Sequence, residues 1–164
     1  MTINSSRLTH PSLGKQITII DCPGHPRLAH LLQQSLTAQP PHGVLLLLDA
    51  ANLKQNLHEM ANNVYSTLLM LPRPCHVLVV ANKSDLFTAL PVAKIRELLE
   101  EAISSLKKTR DEAVVDEDER STLGGIPFNF DELENEGIDV EWTRGSTESR
   151  EVAGILEWIS GRIS

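Results

Sequence analysis

Three short apolar runs, at 17–20, 44–48 and 77–80, are each followed by a polar loop and then by a segment whose apolar residues recur at helical spacing. Runs with so little polar alternation are expected of strands covered by helices on both faces, and strand alternating with helix implies a parallel sheet. A fourth strand is read at 138–142, with helices at 26–38, 53–71, 91–106 and 149–163. The third helix carries Ile95, Leu98, Leu99, Ala102, Ile103 and Leu106 on one stripe. The last carries Val152, Ile155, Leu156, Ile159 and Ile163, and both stripes are expected to pack on the sheet. The fold class is therefore α/β, and 164 residues suit a single domain spanning 1–164.

Composition narrows the function. Hydrophobic residues make up 41% of the chain, enough for a core, and the net charge of -7 argues against a nucleic-acid or anionic-membrane surface. Cys22 and Cys75 have no metal-ligand spacing and read as two reduced thiols in a cytosol-facing protein. Residues 1–12 are polar, with neither a signal core nor an apolar span of about 20 residues, so the polypeptide as given reads as soluble. Ten of the twenty-two acidic residues fall between 107 and 137, where helical periodicity dissolves; the reading there is a long, acidic, partly disordered insertion loop.

Two tetrapeptides carry the chemistry, each where a strand ends and a loop begins, the place at which open α/β sheets bind nucleotides. Asn82-Lys83-Ser84-Asp85 follows the run at 77–80. The Asp85 carboxylate can accept both donors of a guanine ring, N1–H and the exocyclic amine, which adenine does not offer together. Asn82 is expected to tie neighbouring loops through its amide, and the stem of Lys83 to cover one face of the base. Asp21-Cys22-Pro23-Gly24 follows the run at 17–20. There Asp21 can hold a magnesium ion through water, and Gly24 lets its backbone N–H approach a γ-phosphate. His25 is a candidate to orient an attacking water, with helix entry as the alternative. Ser146 and Thr147, after the fourth strand, are placed to offer a backbone N–H to guanine O6 or to cap the last helix.

With these residues in place the chain resembles the signal recognition particle receptor β subunit family, small GTPases related to the Arf and Sar proteins. The resemblance runs over almost the whole chain. It rests on Thr18 to His25, on Asp49-Ala50-Ala51 followed by the helix containing Tyr65, on Asn82 to Asp85, on Glu97 to Arg110 opening the insertion, and on Phe128, Phe130, Leu133, Val140, Glu141 and Trp142 closing it. It implies a P-loop GTPase-like fold of the Ras/Arf type that binds GTP or GDP with magnesium. It also implies an endoplasmic reticulum protein anchored by an N-terminal membrane helix and facing the cytosol. The GTP-bound form of that family holds the receptor α subunit in cotranslational targeting of secretory and membrane proteins.

Two departures bear on that inference. No Gly-x-x-x-x-Gly-Lys-[Ser/Thr] phosphate loop occurs in the sequence, and neither the anchor nor the family's first strand is found, so the chain reads as N-terminally truncated and GTP hydrolysis by it is in doubt. In that fold the missing strand lies between those at 17–20 and 44–48, so its loss is expected to leave unpaired edges and exposed apolar faces. Ser146-Thr147-Glu148 also replaces the more usual Ser-Ala-Lys. The alternatives are a nucleotide-free interaction module built on a degenerate GTPase fold, and a fragment of a translational GTPase, whose usual sequence also includes Asp-Cys-Pro-Gly-His.

Overall fold

The computed structural model describes residues 4–9, 14–113 and 123–162. Strands β1 (Asn4–Thr9) and β2 (Gln16–Asp21) precede a 3-10 turn and helix α1 (Ala29–Ala38). Next come β3 (Val44–Asp49), α2 (Leu57–Met70), β4 (Cys75–Asn82), α3 (Val92–Ala113), a 3-10 helix at Phe130–Glu136, β5 (Ile138–Arg144) and α4 (Ala153–Arg162). Strands β3, β4 and β5 form a parallel sheet in that order, with Val44 opposite Val77 and Val77 opposite Val140. The expected parallel α/β arrangement is thus present, carried by three strands.

Strand β4 is the middle of that sheet and is buried on both faces. Val77, Val79 and Ala81 point into the main core with Tyr65 and Leu68 of α2, Ile95, Leu99 and Ile103 of α3, and Phe130. Leu78 and Val80 point the other way, onto Trp158, Ile155 and Ile159 of α4. The period-2 alternation of a pleated strand thus serves two helical layers from one uninterrupted apolar sequence. Helix α3 buries its expected stripe. In α4 the expected stripe is shifted: Trp158 is the buried residue, Leu156 is 41% exposed, and Ile163 lies outside the described residues. At the entry to β3 a Cβ on Gly43 would come within 2.5 Å of the Trp158 ring, so only glycine lets the chain pass that indole.

Strands β1 and β2 form a separate antiparallel pair, Asn4 opposite Asp21 and Thr9 opposite Gln16. Strand β1 was not legible as a strand, because Asn-Ser-Ser-Arg-Leu-Thr has one large apolar residue and no alternation; its conformation comes from the ladder with β2. No ladder joins β2 to β3. Ile19 and Ile20 are each 37% exposed, and on the α4 side of the parallel sheet Leu45 and Leu47 are 36% and 64% exposed. The expectation of strands covered on both faces therefore holds for β4 and fails for β2 and for one face of β3, where α4 packs on Leu78 and Val80 and leaves Leu45 and Leu47 uncovered. Helix α1 buries no residue completely, although Leu36 packs against the core.

The insertion is more ordered at its two ends than periodicity suggests. Helix α3 continues to Ala113, and the described chain resumes at Leu123, which is fully buried. Lys107, 3% exposed, donates to the carbonyls of Leu123 at 2.8 Å and Gly125 at 3.0 Å, and also to that of Gly124. The Tyr65 hydroxyl accepts from Leu123 N at 3.1 Å. Ser104 Oγ accepts from Phe128 N at 2.8 Å, and Glu100 Oε1 from Phe130 N at 3.1 Å. Tyr65, Phe128, Phe130 and Trp142 then form a chain of edge-to-face contacts with centroids 5.9, 5.0 and 5.1 Å apart. No helix among the described residues is long and apolar enough to cross a membrane.

Phe130→Ala removes the middle of the aromatic chain and is expected to lower stability by about 3–5 kcal/mol, measured by urea denaturation. The open apolar face and edge of β3 are expected to make the chain self-associate as its concentration rises. Leu47→Lys should reduce that association in sedimentation equilibrium; an unchanged mass distribution would exclude β3 as the contact.

Candidate functional site

The carboxyl ends of β3, β4 and β5 bring three loops together. Strand β4 ends at Asn82, whose register partner on β3 is Asp49, and Ala50 N donates to Asn82 O at 3.1 Å. The chain then turns at Lys83 with φ of 62°, a left-handed conformation uncommon for a residue with a side chain. Lys83 Nζ donates to Asp49 Oδ2 at 2.7 Å. The same carboxylate accepts from Ala51 N at 3.1 Å, Asn52 N at 3.2 Å and Asn52 Nδ2 at 2.9 Å. Partial burial pushes the Asp49 carboxyl up, but the donors from Lys83, Asn52 and Ala51 outweigh it and hold the pKa below the ordinary carboxylate value.

The next residue makes the loop-to-loop tie expected of the Asn82 amide. Ser84 N donates to Gly145 O at 3.2 Å, and Ser84 Oγ lies 3.0 Å from both Gly145 O and Glu151 Oε2. Asn82 contributes its backbone carbonyl instead, to Ala50. Glu151 is itself held by Arg144 Nε at 2.8 Å. Gly145 N donates to Ala81 O at 3.0 Å, which fastens the loop after β5 to the end of β4. Asp85, beside these ties, is exposed, and no hydrogen bond or ion pair engages its carboxylate among the described residues. A carboxylate held on a fixed loop with both oxygens open is what bidentate acceptance from a guanine edge requires.

Ser146 and Thr147 do not cap α4, which begins at Ala153. Instead Ser146 closes a turn: its N donates to Glu151 O at 3.1 Å, and its buried hydroxyl accepts from Ser149 N at 3.2 Å. With the Ser146 N–H engaged inside the protein, the exposed Thr147 is the residue of this pair left to meet a ligand. The sequence singled out neither Asp49, Ser84 nor Glu151 for this site. Ser84 occupies the variable position of its motif, and only the fold brings the distant Asp49 and Glu151 beside it.

The other tetrapeptide stands on the separate pair of strands. Asp21 is the last residue of β2 and is exposed, as are Gly24 and His25. His25 Nδ1 accepts from Arg27 N at 3.2 Å and His25 O from Leu28 N at 2.8 Å, so the residue opens the turn into α1. Cys22 and Cys75 are both free thiols whose pKa values are raised, chiefly by burial. No group of three His, Cys, Asp or Glu side chains among the described residues is arranged to hold a metal. Asp21 alone does not make a magnesium site, since that ion takes six oxygens and the residues here supply one carboxylate. The residues that the structure brings together are therefore Asn82 to Ser84 with Asp49, Gly145 and Glu151.

Comparison with known proteins gives the family. The family model described as signal recognition particle receptor beta subunit matches residues 1–138. The chain is 26% identical over 168 residues to the Saccharomyces cerevisiae signal recognition particle receptor subunit beta and 27% identical over 160 residues to that of Mus musculus. These alignments take in 92% and 90% of this chain, but only 68% of the yeast and 59% of the mouse protein. A chain of the mammalian SRP receptor superposes with a TM-score of 0.82 at 24% identity, covering 99% of this chain and 83% of that one. SRb-GDP-Mg from Chaetomium thermophilum superposes with a TM-score of 0.72 at 27% identity, covering 87% and 78%. The fold is that of the SRβ GTPase domains, and the chain belongs to the signal recognition particle receptor beta subunit family.

Proposed function

We propose that the chain is the guanine-nucleotide-binding portion of a signal recognition particle receptor β subunit, acting at the cytosolic face of the endoplasmic reticulum. Its role on this reading is to hold the receptor α subunit when GTP is bound, during cotranslational targeting of secretory and membrane proteins. The observation that carries the reading is the loop after β4: among the described residues Asp85 is unengaged, and it is exposed on a turn that Lys83 and Ser84 tie to the two neighbouring strand ends. Related solved proteins are described as SRb-GTP in complex with SRX, SRb-GDP and SRb-GDP-Mg, which supports guanine nucleotide and magnesium as ligands of this family.

On this reading Asp85 accepts the N1–H and amine of the base, the Lys83 stem lies on a ring face, and Thr147 offers its N–H near O6. Asn82, through its carbonyl, and Ser146, through its turn, act as supports. At the phosphate end the proposal keeps Asp21 as a carboxylate that reaches magnesium through water once nucleotide oxygens complete the ion's shell. Gly24 is the point of close approach to a terminal phosphate, and His25 orients water. A bound triphosphate would supply the magnesium oxygens and the scissile bond; with no phosphate loop in this sequence to cradle it, weak affinity and little hydrolysis are expected of the chain alone. The separation of Asp21 to His25 from the parallel sheet favours a second reading, an interaction module that keeps the fold without the nucleotide.

Titration of the chain with GTP and with xanthosine triphosphate, followed by saturation-transfer NMR, separates these readings. Asp85→Asn should weaken GTP by about 10-fold, the effect of losing a charge-assisted hydrogen bond, and shift preference toward xanthosine triphosphate. An unchanged preference removes Asp85 from the site. A wild-type chain that binds neither favours the interaction module.

A further inference from the structure

We infer that Asp49 is a positioning residue for the base-reading loop: its carboxylate fixes the Lys83 ammonium and so directs the stem that lies against the purine. This rests on the guanine reading of residues 82–85. The geometry supports it from three sides. Lys83 sits at φ 62°, a conformation that is unfavourable for a residue with a Cβ and persists where surrounding contacts determine it. Its ammonium is 2.7 Å from Asp49 Oδ2, while Ala51 N and Asn52 N hold Oδ1 and Asn52 Nδ2 holds Oδ2, so the carboxylate is set by its own loop. The parallel register then places that loop beside Asn82, immediately before the lysine.

Ser84 is restrained from the opposite side by Gly145 and Glu151. With residues 83 and 84 both tied, the backbone entering Asp85 has little left to order when a base arrives, and a preordered loop binds with a smaller entropic cost. The side chains of Lys83 and Asp49 are 48% and 29% exposed, so water screens the pair and its effect is modest.

Asp49→Asn isolates the charge, since an amide oxygen still accepts from Ala51 N and Asn52 N. GDP is titrated against the 164-residue chain carrying Asp49→Asn, Lys83→Met or both, with amide resonances as the readout and thermal melts to confirm folding. Asp49→Asn is expected to weaken GDP about 2- to 5-fold when Lys83 is present and to add nothing to Lys83→Met. Asp49→Glu should recover part of the loss, and it carries the test if the amide variant does not fold. Equal affinity of the wild type and Asp49→Asn, or the same factor in both backgrounds, overturns the inference while leaving the guanine site standing. No GDP binding by the wild type overturns the guanine reading, and this inference with it.

Discussion

The backbone ladder on the two edges of β4 determines where everything else lies. Val77 to Asn82 pair with β3 on one side and Cys75 to Ala81 with β5 on the other, and the side chains alternate between the α2–α3 layer and α4. Burial of Val77 and Val79 against one layer and Leu78 and Val80 against the other leaves no freedom of register, because a slip of one residue would exchange the two faces. The end of the strand is thereby fixed, and with it the loop that follows. Asp49 and Gly145 reach that loop only because their own strands are in register with β4. Core packing and the geometry of the candidate site are here the same constraint seen at two ends of one strand.

Strands β1 and β2 have no such support. A two-stranded ribbon is marginal in water without a hydrophobic face to pack, and Ile19 and Ile20 remain more than a third exposed. The residues at its end, Asp21 to His25, are correspondingly positioned by local contacts, such as the hydrogen bonds between His25 and the turn into α1. The contrast between the two halves is one of connectivity: the same kind of apolar segment makes a rigid strand with two neighbours and a peripheral one with a single neighbour.

What could be read from the sequence follows from the range over which each signal acts. Strands β3 and β4 and the stripe of α3 are legible because continuous apolar runs and i, i+3, i+4 spacing are local and strong, and β5 because Ile138, Val140 and Trp142 alternate with polar residues. Strand β1 is not, since its polar residues take their conformation from a partner. Helix α3 runs to Ala113, beyond the end at 106 that periodicity predicts because acidic and basic residues replace the apolar stripe after Leu106. Phe128, Phe130 and Leu133 lie in a segment whose composition suggests a solvated loop, yet they are buried. Their burial depends on Tyr65, Glu100 and Ser104, far enough away in sequence that no window would pair them. Of the site, the motif residues Asn82, Lys83 and Asp85 announced themselves, while the carboxylates that steady the loop carry no motif.

The carbonyl cage around Lys107 closes the two described flanks of the insertion onto each other. The ammonium and the Tyr65 hydroxyl together join α3 to residues 123–125, so Lys107 and Leu123, which bracket the segment between them, are held at neighbouring points. Adding residues to a segment whose ends are already held together increases its closure entropy only logarithmically, by roughly 0.6 kcal/mol for each doubling of length. The domain can therefore accept sequences of quite different length and charge at this place while its core and the loops at the carboxyl end of β4 feel almost nothing of the change.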